Sequence, residues 1–211
     1  RRGQPHPSRA APPGAGPRHR ATARIASLAA VSAGTVDDVR RARRILCVGV
    51  TGSGKSTLAI ALGERLGLPV TLVDDLCWDP QWTPVPNDEQ LRRVLPVIAQ
   101  DAWVLDTLWS SHASHAWHRI DAIVALDYDR HVSLARLLRR TLGRIRTRER
   151  ICNGNVETLS RALSRHSIIV WHVRSWRAKR MRMRAWHADA SAPPVLLLAR
   201  PRDADRLLAS L

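Results

Sequence analysis

The sequence predicts an α/β protein: a five-stranded parallel sheet with helices on both faces, stacked as three layers. Three observations point there. Short continuous apolar runs alternate with stretches of helical spacing. The first run is closed by a glycine-rich segment that leads directly into a helix. Three later runs end in aspartate. Polar side chains thus gather where parallel strands terminate, the edge at which such sheets bind ligands.

The elements follow in order. Ile45-Leu46-Cys47-Val48 is an uninterrupted apolar run bounded by Gly49, the pattern of a strand buried on both faces. Residues 56–66 carry helical spacing and stop at Gly67, with Pro69 beyond. Residues 70–73 read as a second strand closed by Asp74-Asp75, and Asn87 with Gln90 forms a capping-box pattern opening a helix to about Ala99. A third strand, residues 102–105, ends in Asp106. A fourth, residues 122–126, ends in Asp127, where Asp127-Tyr128-Asp129 is read as helix capping. Residues 132–142 form a helix, residues 143–155 a loop with a turn at Asn153-Gly154-Asn155, and residues 156–186 one or two long helices. Residues 195–199 supply the fifth strand, and a short helix runs to Leu211.

Ahead of this pattern, residues 1–43 are rich in Pro, Gly, Ala and Arg without sustained periodicity, and read as a disordered extension. The domain then occupies residues 44–211. The mildly apolar stretch at residues 25–33 follows several Arg, as in a signal or transit peptide, but it is short and rich in Ser and Ala, and a disordered tail is the favoured reading.

Composition narrows the function classes. Hydrophobic residues make up 45% of 211, enough for a core, and eight Trp with one Tyr and no Phe leave the large aromatic packing to Trp. No apolar run reaches the ~18 residues needed to span a bilayer. Cys47, Cys77 and Cys152 lack metal-ligand spacing, and their odd number argues against a disulfide framework. A reducing, cytoplasmic setting is expected. The net charge of +16 is unevenly placed: residues 1–44 hold ten Arg against two Asp, residues 45–129 are net acidic, and residues 130–187 hold sixteen basic groups against two acidic. That distribution fits an arginine-rich lid over polyphosphate better than a surface that coats DNA.

The segment Gly49-Val50-Thr51-Gly52-Ser53-Gly54-Lys55-Ser56 matches G-x-x-x-x-G-K-[ST] at every fixed position, between a strand and a helix as the motif requires. Glycines let successive N–H groups turn inward on phosphate oxygens, and the helix start adds its positive end. Lys55 reaches the β- and γ-phosphates, and the Ser56 hydroxyl ligates Mg²⁺. A nucleoside triphosphate, ATP with Mg²⁺, is the ligand this predicts. Gly49, Thr51, Gly52, Ser53, Gly54, Lys55, Ser56 and Thr57 form the expected cradle. Lys55 is one of only two lysines among 34 basic residues, placed where a slim point charge is wanted.

Asp106 is expected to hold the metal, partly through water, or to activate an acceptor. Asp74 or Asp75 is the candidate to bind an acceptor hydroxyl and take its proton; the plain alternative is a solvated strand-end turn.

The loop, continued through Thr57-Leu58-Ala59, resembles the opening of small P-loop kinases such as the adenylate, shikimate and gluconate kinases. Further blocks resemble a bacterial group labelled adenylate-kinase-like P-loop proteins, some of them labelled DNA-topology-modulation proteins. These blocks are Asp74-Asp75-Leu76-Cys77-Trp78, Trp82-Thr83-Pro84, Trp103-Val104-Leu105-Asp106, Leu138-Arg139-Arg140-Thr141, Arg148-Glu149-Arg150 and Asn153-Gly154-Asn155. The resemblance implies a P-loop NTPase fold with the loop-bearing strand central and a mobile, Arg-rich lid at about residues 143–156. It implies that Arg139 and Arg140 face the nucleotide, and that Arg144, Arg146, Arg148 and Arg150 neutralise the transferring phosphoryl group. It places Arg200-Pro201-Arg202 beside adenine. The sequence departs from the group after Asp106, where Thr107, Leu108 and Trp109 replace the usual Gly and Asn-Tyr, and at Cys77, where relatives often show His.

Two other patterns carry a competing reading. His112, His115 and His118 recur every third residue but lack enough companions for a zinc site, so they read as a polar surface or a stretch of the substrate domain. Arg174, Arg177, Arg180 and Arg184, interleaved with Trp171, Trp176 and Trp186, form either a nucleic-acid stripe or the solvated face of a helix returning from the lid, and we favour the latter. The sequence therefore predicts an ATP-dependent kinase acting on a nucleotide or small hydroxylated metabolite, with no membrane partner. The alternatives are a nucleic-acid-associated or regulatory NTPase, and a nucleotide binder with degraded catalysis.

Overall fold

The computed structural model describes residues 32–165 and 167–211. Ordered structure begins earlier than residue 44. Ser32–Gly34 run beside the far edge of the sheet, with Gly34 N donating to the Val195 carbonyl (2.9 Å) and Val195 N to that of Ser32 (2.9 Å). Helix α1 (Val36–Arg41) follows, capped by Thr35 and Asp38 in a reciprocal capping box. Its Val39 enters the core, so residues 32–43 are part of the domain. The expectations for residues 1–31 lie outside the described residues.

Five strands make the central sheet. They are β1 (Arg44–Gly49), β2 (Val70–Thr71), β5 (Trp103–Leu105), β6 (Ala122–Leu126) and β9 (Val195–Leu198). All pairings are parallel, in the spatial order β2-β5-β1-β6-β9, so the strand before the glycine-rich loop is central. Alternation along β1 divides the core in two. Ile45 and Cys47 face one layer, with Val39, Leu58, Leu62 and Leu207 from α1, α2 (Lys55–Leu66) and α9 (Pro201–Ser210). Leu46 and Val48 face the other, with Val94 and Ile98 of α4 (Asn87–Ile98), Ala116 of α5 (Ser110–Ala116) and Met183 of α8 (Ile168–Ala188). This is the three-layer α/β fold that the apolar runs predicted.

Several details differ from the sequence reading. The second strand is only two residues long, because Val73 opens a short helix, α3 (Val73–Cys77). Asp74 and Asp75 thus sit in a helix's first turn, where negative charge is favoured, rather than at a strand end. The capping box at Asn87 is not formed. Pro86 is the N-cap, and Gln90 turns inward, its Nε2 donating to the Val85 carbonyl (2.7 Å). Satisfying that buried carbonyl outweighs capping an exposed helix start.

The helix read as 132–142 is longer: α6 (Arg130–Thr147) runs through Gly143 without a break. Nothing crowds that glycine, and one exposed glycine costs a helix only about 1 kcal/mol. The loop therefore shrinks to a small hairpin, β7 (Arg150–Ile151) with β8 (Asn155–Val156), followed by α7 (Leu159–Ala162) and α8. A second hairpin, β3 (Trp78–Asp79) with β4 (Thr83–Pro84), lies between α3 and α4.

Of Asp127-Tyr128-Asp129, Asp129 is the N-cap of α6, without a side-chain cap bond, and Asp127 is not a cap. It is buried at the end of β6 and forms ion pairs with Arg180 (2.8 Å) and Arg184 (2.8 Å), which fasten α8 to the sheet. Half of the arginine stripe on α8 is therefore engaged with the sheet end through Asp127, Arg184 from the exposed side. His112 is not a surface residue either: it is fully buried and stacks on Trp109, their ring centroids 6.4 Å apart. Among the described residues no cluster of His, Cys, Asp or Glu could hold a metal ion by itself, and no helix is long and apolar enough to cross a membrane.

Candidate functional site: a phosphate cradle closed by two helices

The loop between β1 and α2 is shaped by its glycines. Gly52 has φ +84°, and a Cβ there would overlap the Ser133 carbonyl oxygen and come within 2.7 Å of the Leu137 Cβ. Helix α6 is thus packed directly against the loop. Gly54 has φ +97° and is the N-cap of α2, with no side chain in the way of that helix's exposed N–H groups. Non-glycine residues at such φ values are strained, so the shape depends on glycine. It leaves a concavity of backbone donors at a helix start, suited to phosphate.

Two contacts fix the loop from outside. Arg136 Nη1 donates to the Ser53 carbonyl (3.1 Å), and the same guanidinium lies over the Tyr128 ring, 5.7 Å from its centroid. On the other side, buried His172 of α8 places Nδ1 2.8 Å from the Thr51 carbonyl. That geometry assigns the proton to Nδ1. Burial holds the imidazole below its ordinary pKa, so it is the neutral ring that braces the loop.

Beneath the loop, Ser56 Oγ donates to Asp106 Oδ2 (2.5 Å), and the Val73 N–H donates to Asp106 Oδ1 (3.0 Å). Asp106 is 1% exposed. Burial raises its carboxyl above the ordinary range; Lys55 and the Ser56 hydrogen bond pull it back, and Asp74 pushes in the same direction as burial. A carboxylate placed at such expense beside a motif serine fits a site whose charge is completed by a cation. The donor set, a hydroxyl and a carboxylate oxygen, suits Mg²⁺, which keeps several of its waters.

Asp74 stands across the same space. Trp109 Nε1 donates to its Oδ1 (3.1 Å), which orients the carboxylate. Trp109 packs edge-on against Trp78, and Trp78 against Trp82, with centroids 6.0 Å apart in each pair. The residue that departs from the resembled family thus takes a definite place, holding Asp74 and joining an aromatic wall. Arg140 of α6 is exposed, with Asp74 and Glu157 within its electrostatic reach.

The two hairpins are strapped together at the mouth. Asn153 Nδ2 donates to the carbonyls of Asp75 (2.6 Å) and Trp78 (2.7 Å). Asn155 Nδ2 donates to the Asp79 carbonyl (3.0 Å), and its Oδ1 accepts from the Trp82 N–H (2.6 Å). Arg161 lies over the Trp82 ring, 4.8 Å from its centroid.

Structure therefore brings together Lys55, Ser56, Asp106, Asp74 and Arg140, with Gly49, Thr51, Gly52, Ser53 and Thr57 in or beside the cradle. Other sequence candidates are not joined to it by any described bond. Arg148 is exposed at the end of α6, in the left-handed region at φ +51°. Arg139 and Arg150 are exposed, Asp75 is exposed with its side chain hydrogen-bonded to Cys152, and Pro201 opens α9 beyond β9. Sequence reasoning missed Arg136 and His172. Arg136 and His172 act on backbone carbonyls of the loop, which no side-chain motif encodes. Only their helical spacing, read against the neighbouring apolar positions, could have shown that they turn inward.

No family model matches the sequence, and no curated protein matches it. Solved structures do. A gluconokinase from Sinorhizobium meliloti 1021 matches with a TM-score of 0.44 and 19% identity, over 79% of this chain and 91% of that one. Deoxyadenosine kinase from M. mycoides, with products dCMP and a flexible dCDP bound, matches with a TM-score of 0.40 and 10% identity, over 79% of this chain and 95% of that one.

Proposed function

We propose that this chain is an ATP- and Mg²⁺-dependent phosphotransferase that moves the γ-phosphoryl group to a nucleotide or a small hydroxylated metabolite. The observation that carries this is the Ser56–Asp106 contact (2.5 Å) beneath the glycine cradle, within the electrostatic reach of both Lys55 and Asp74. The resemblance to the adenylate-kinase-like bacterial group belongs to the same proposal.

In this reading the loop N–H groups and the start of α2 hold the β- and γ-phosphates, and Lys55 neutralises charge on them. Ser56 and Asp106 would hold Mg²⁺, Asp106 partly through water; bound there, the ion offsets charge developing on the phosphate oxygens. Asp74, with one oxygen held by Trp109, has the other free to accept a proton from an acceptor hydroxyl. Arg140, and Arg148 if the hairpin closes further, would stabilise the transferring group. Arg139 and Pro201 would border the nucleoside. The β7–β8 hairpin, docked on β3–β4, would exclude water from the reacting centre.

The test is γ-phosphoryl transfer from ATP across a panel of nucleoside monophosphates, nucleosides and hydroxylated metabolites. Transfer that requires Mg²⁺ and is lost in Asp74→Asn, with ATP binding retained, supports the assignment. ATP binding without transfer to any acceptor would favour a nucleotide-binding protein with degraded catalysis.

A further inference from the structure

The sequence holds two lysines, Lys55 and Lys179, against 32 arginines, and the fold brings them within each other's field. Lys179 sits on α8, and its place on that helix is unusual. The inward stripe of α8 is defined by His172 and Met183, both buried, and by Trp186, which packs on Trp117 with centroids 5.1 Å apart. Lys179 lies seven residues after His172 and four before Met183, so helical periodicity puts it on the same stripe. An apolar residue is expected there.

Its neighbours on the helix make the contrast sharper. Arg180 pairs with Asp127 and Asp129, and Arg184 with Asp127. Among the described residues, no carboxylate lies within ion-pair distance of Lys179, and its ammonium instead lies 5.6 Å from the Trp171 ring centroid. Beside it, Ser175 Oγ and Trp176 Nε1 are buried polar atoms without a hydrogen-bond partner among the described residues. Buried donors are ordinarily satisfied. A lysine on an inward stripe, with two unsatisfied donors next to it, is incomplete without an anion.

The charged groups around Lys179 are Lys55 on α2, Asp74 on α3 and Arg182 on its own helix; His172, one stripe position before it, braces the phosphate loop. We propose that Lys179 is a second phosphate-binding lysine, contacting the triphosphate from α8 opposite Lys55, so that α8 forms the far wall of the nucleotide site. This rests on the function proposed above. Burial, joined by the charge of Lys55 and opposed by Asp74, lowers the Lys179 pKa to about 8. Near that pH the lysine is partly neutral, and a polyanion binding beside it favours the charged form. Nucleotide binding by the wild-type chain is thus accompanied by proton uptake.

The experiment is calorimetric titration of the full chain with Mg·ATP at pH 8 in two buffers of different ionisation enthalpy, for wild type, Lys179→Met and Lys179→Arg. Methionine keeps the length and suits an inward stripe. The expected result is about 10- to 100-fold weaker ATP binding in Lys179→Met, the loss of one charge-assisted contact, with proton uptake abolished. Lys179→Arg keeps its charge and binds ATP more tightly than Lys179→Met, also without proton uptake. Wild-type affinity and unchanged proton uptake in Lys179→Met would overturn the proposal while leaving the phosphate loop's role intact. Failure of the wild type to bind Mg·ATP would overturn both.

Discussion

Replacing Asp106 by Asn tests the site's electrostatics with little steric change. The carboxyl is buried, accepts from Ser56 Oγ at 2.5 Å and from Val73 N at 3.0 Å, and has its pKa raised, chiefly by burial. Asparagine can still accept from Val73. What is lost is a hydrogen bond to a charged group, roughly 1.5–3 kcal/mol. What is gained is relief from desolvating a carboxylate, roughly several kcal/mol before compensation. The two nearly cancel, so Asp106→Asn should fall within about 1 kcal/mol of wild type at neutral pH, on the stabilising side. The pH dependence gives the sign. A carboxyl whose folded pKa is raised contributes stability that is fully present below the unfolded value and is lost as pH rises through the folded value. Relative to the wild type, Asp106→Asn should therefore gain stability as pH rises above the ordinary 3.8, and level off once the native carboxyl is ionised. Urea unfolding from pH 3 to 8 reads this. Function should move the other way, with Mg²⁺ dependence of turnover shifted about 10- to 100-fold towards higher metal, as for other groups that hold a metal through water. A variant that is markedly destabilised at neutral pH, or one that keeps wild-type Mg²⁺ dependence, would refute the reasoning.

Other changes follow from the same structure. Gly52→Ala must place a side chain at φ +84° against the Ser133 carbonyl; it should cost at least about 1–2 kcal/mol by denaturant unfolding and weaken ATP binding in parallel. Asn155→Ala unfastens the two hairpins and leaves the Trp82 N–H without its acceptor. It should speed proteolytic cleavage near residues 148–158 and raise the KM for the acceptor more than that for ATP. Asp127→Ala leaves Arg180 with only the exposed Asp129 (3.2 Å) at the end of β6, and should lower stability by about 1–3 kcal/mol, less than a fully buried pair would because Arg184 is half-exposed.

The sheet was legible because its strands are buried on both faces and so read as unbroken apolar runs, and because the glycine-rich loop sits between one of them and a helix. Elements whose form depends on tertiary contacts were not. α1 is masked by the Pro, Ala and Arg composition around it and is held by Val39 in the core and by the bridge at Val195. Gly143 looks like a break but lies exposed within α6. Asp127 looks like a cap until α8 returns with Arg180 and Arg184. The motif residues of the site were readable one by one, since each is fixed by its chemistry. Their bracing by Arg136 and His172, and the orientation of Asp74 by Trp109, join residues far apart in sequence and leave no local signature.

The most direct test of the central claim is Mg²⁺-dependent ATP turnover by the full chain and by Lys55→Ala, measured as ADP release in the presence of the acceptor panel. The phosphotransferase account predicts acceptor-stimulated turnover in the wild type, at least about 100-fold loss in Lys55→Ala, and an unchanged melting temperature. Equal turnover in the two proteins would contradict it.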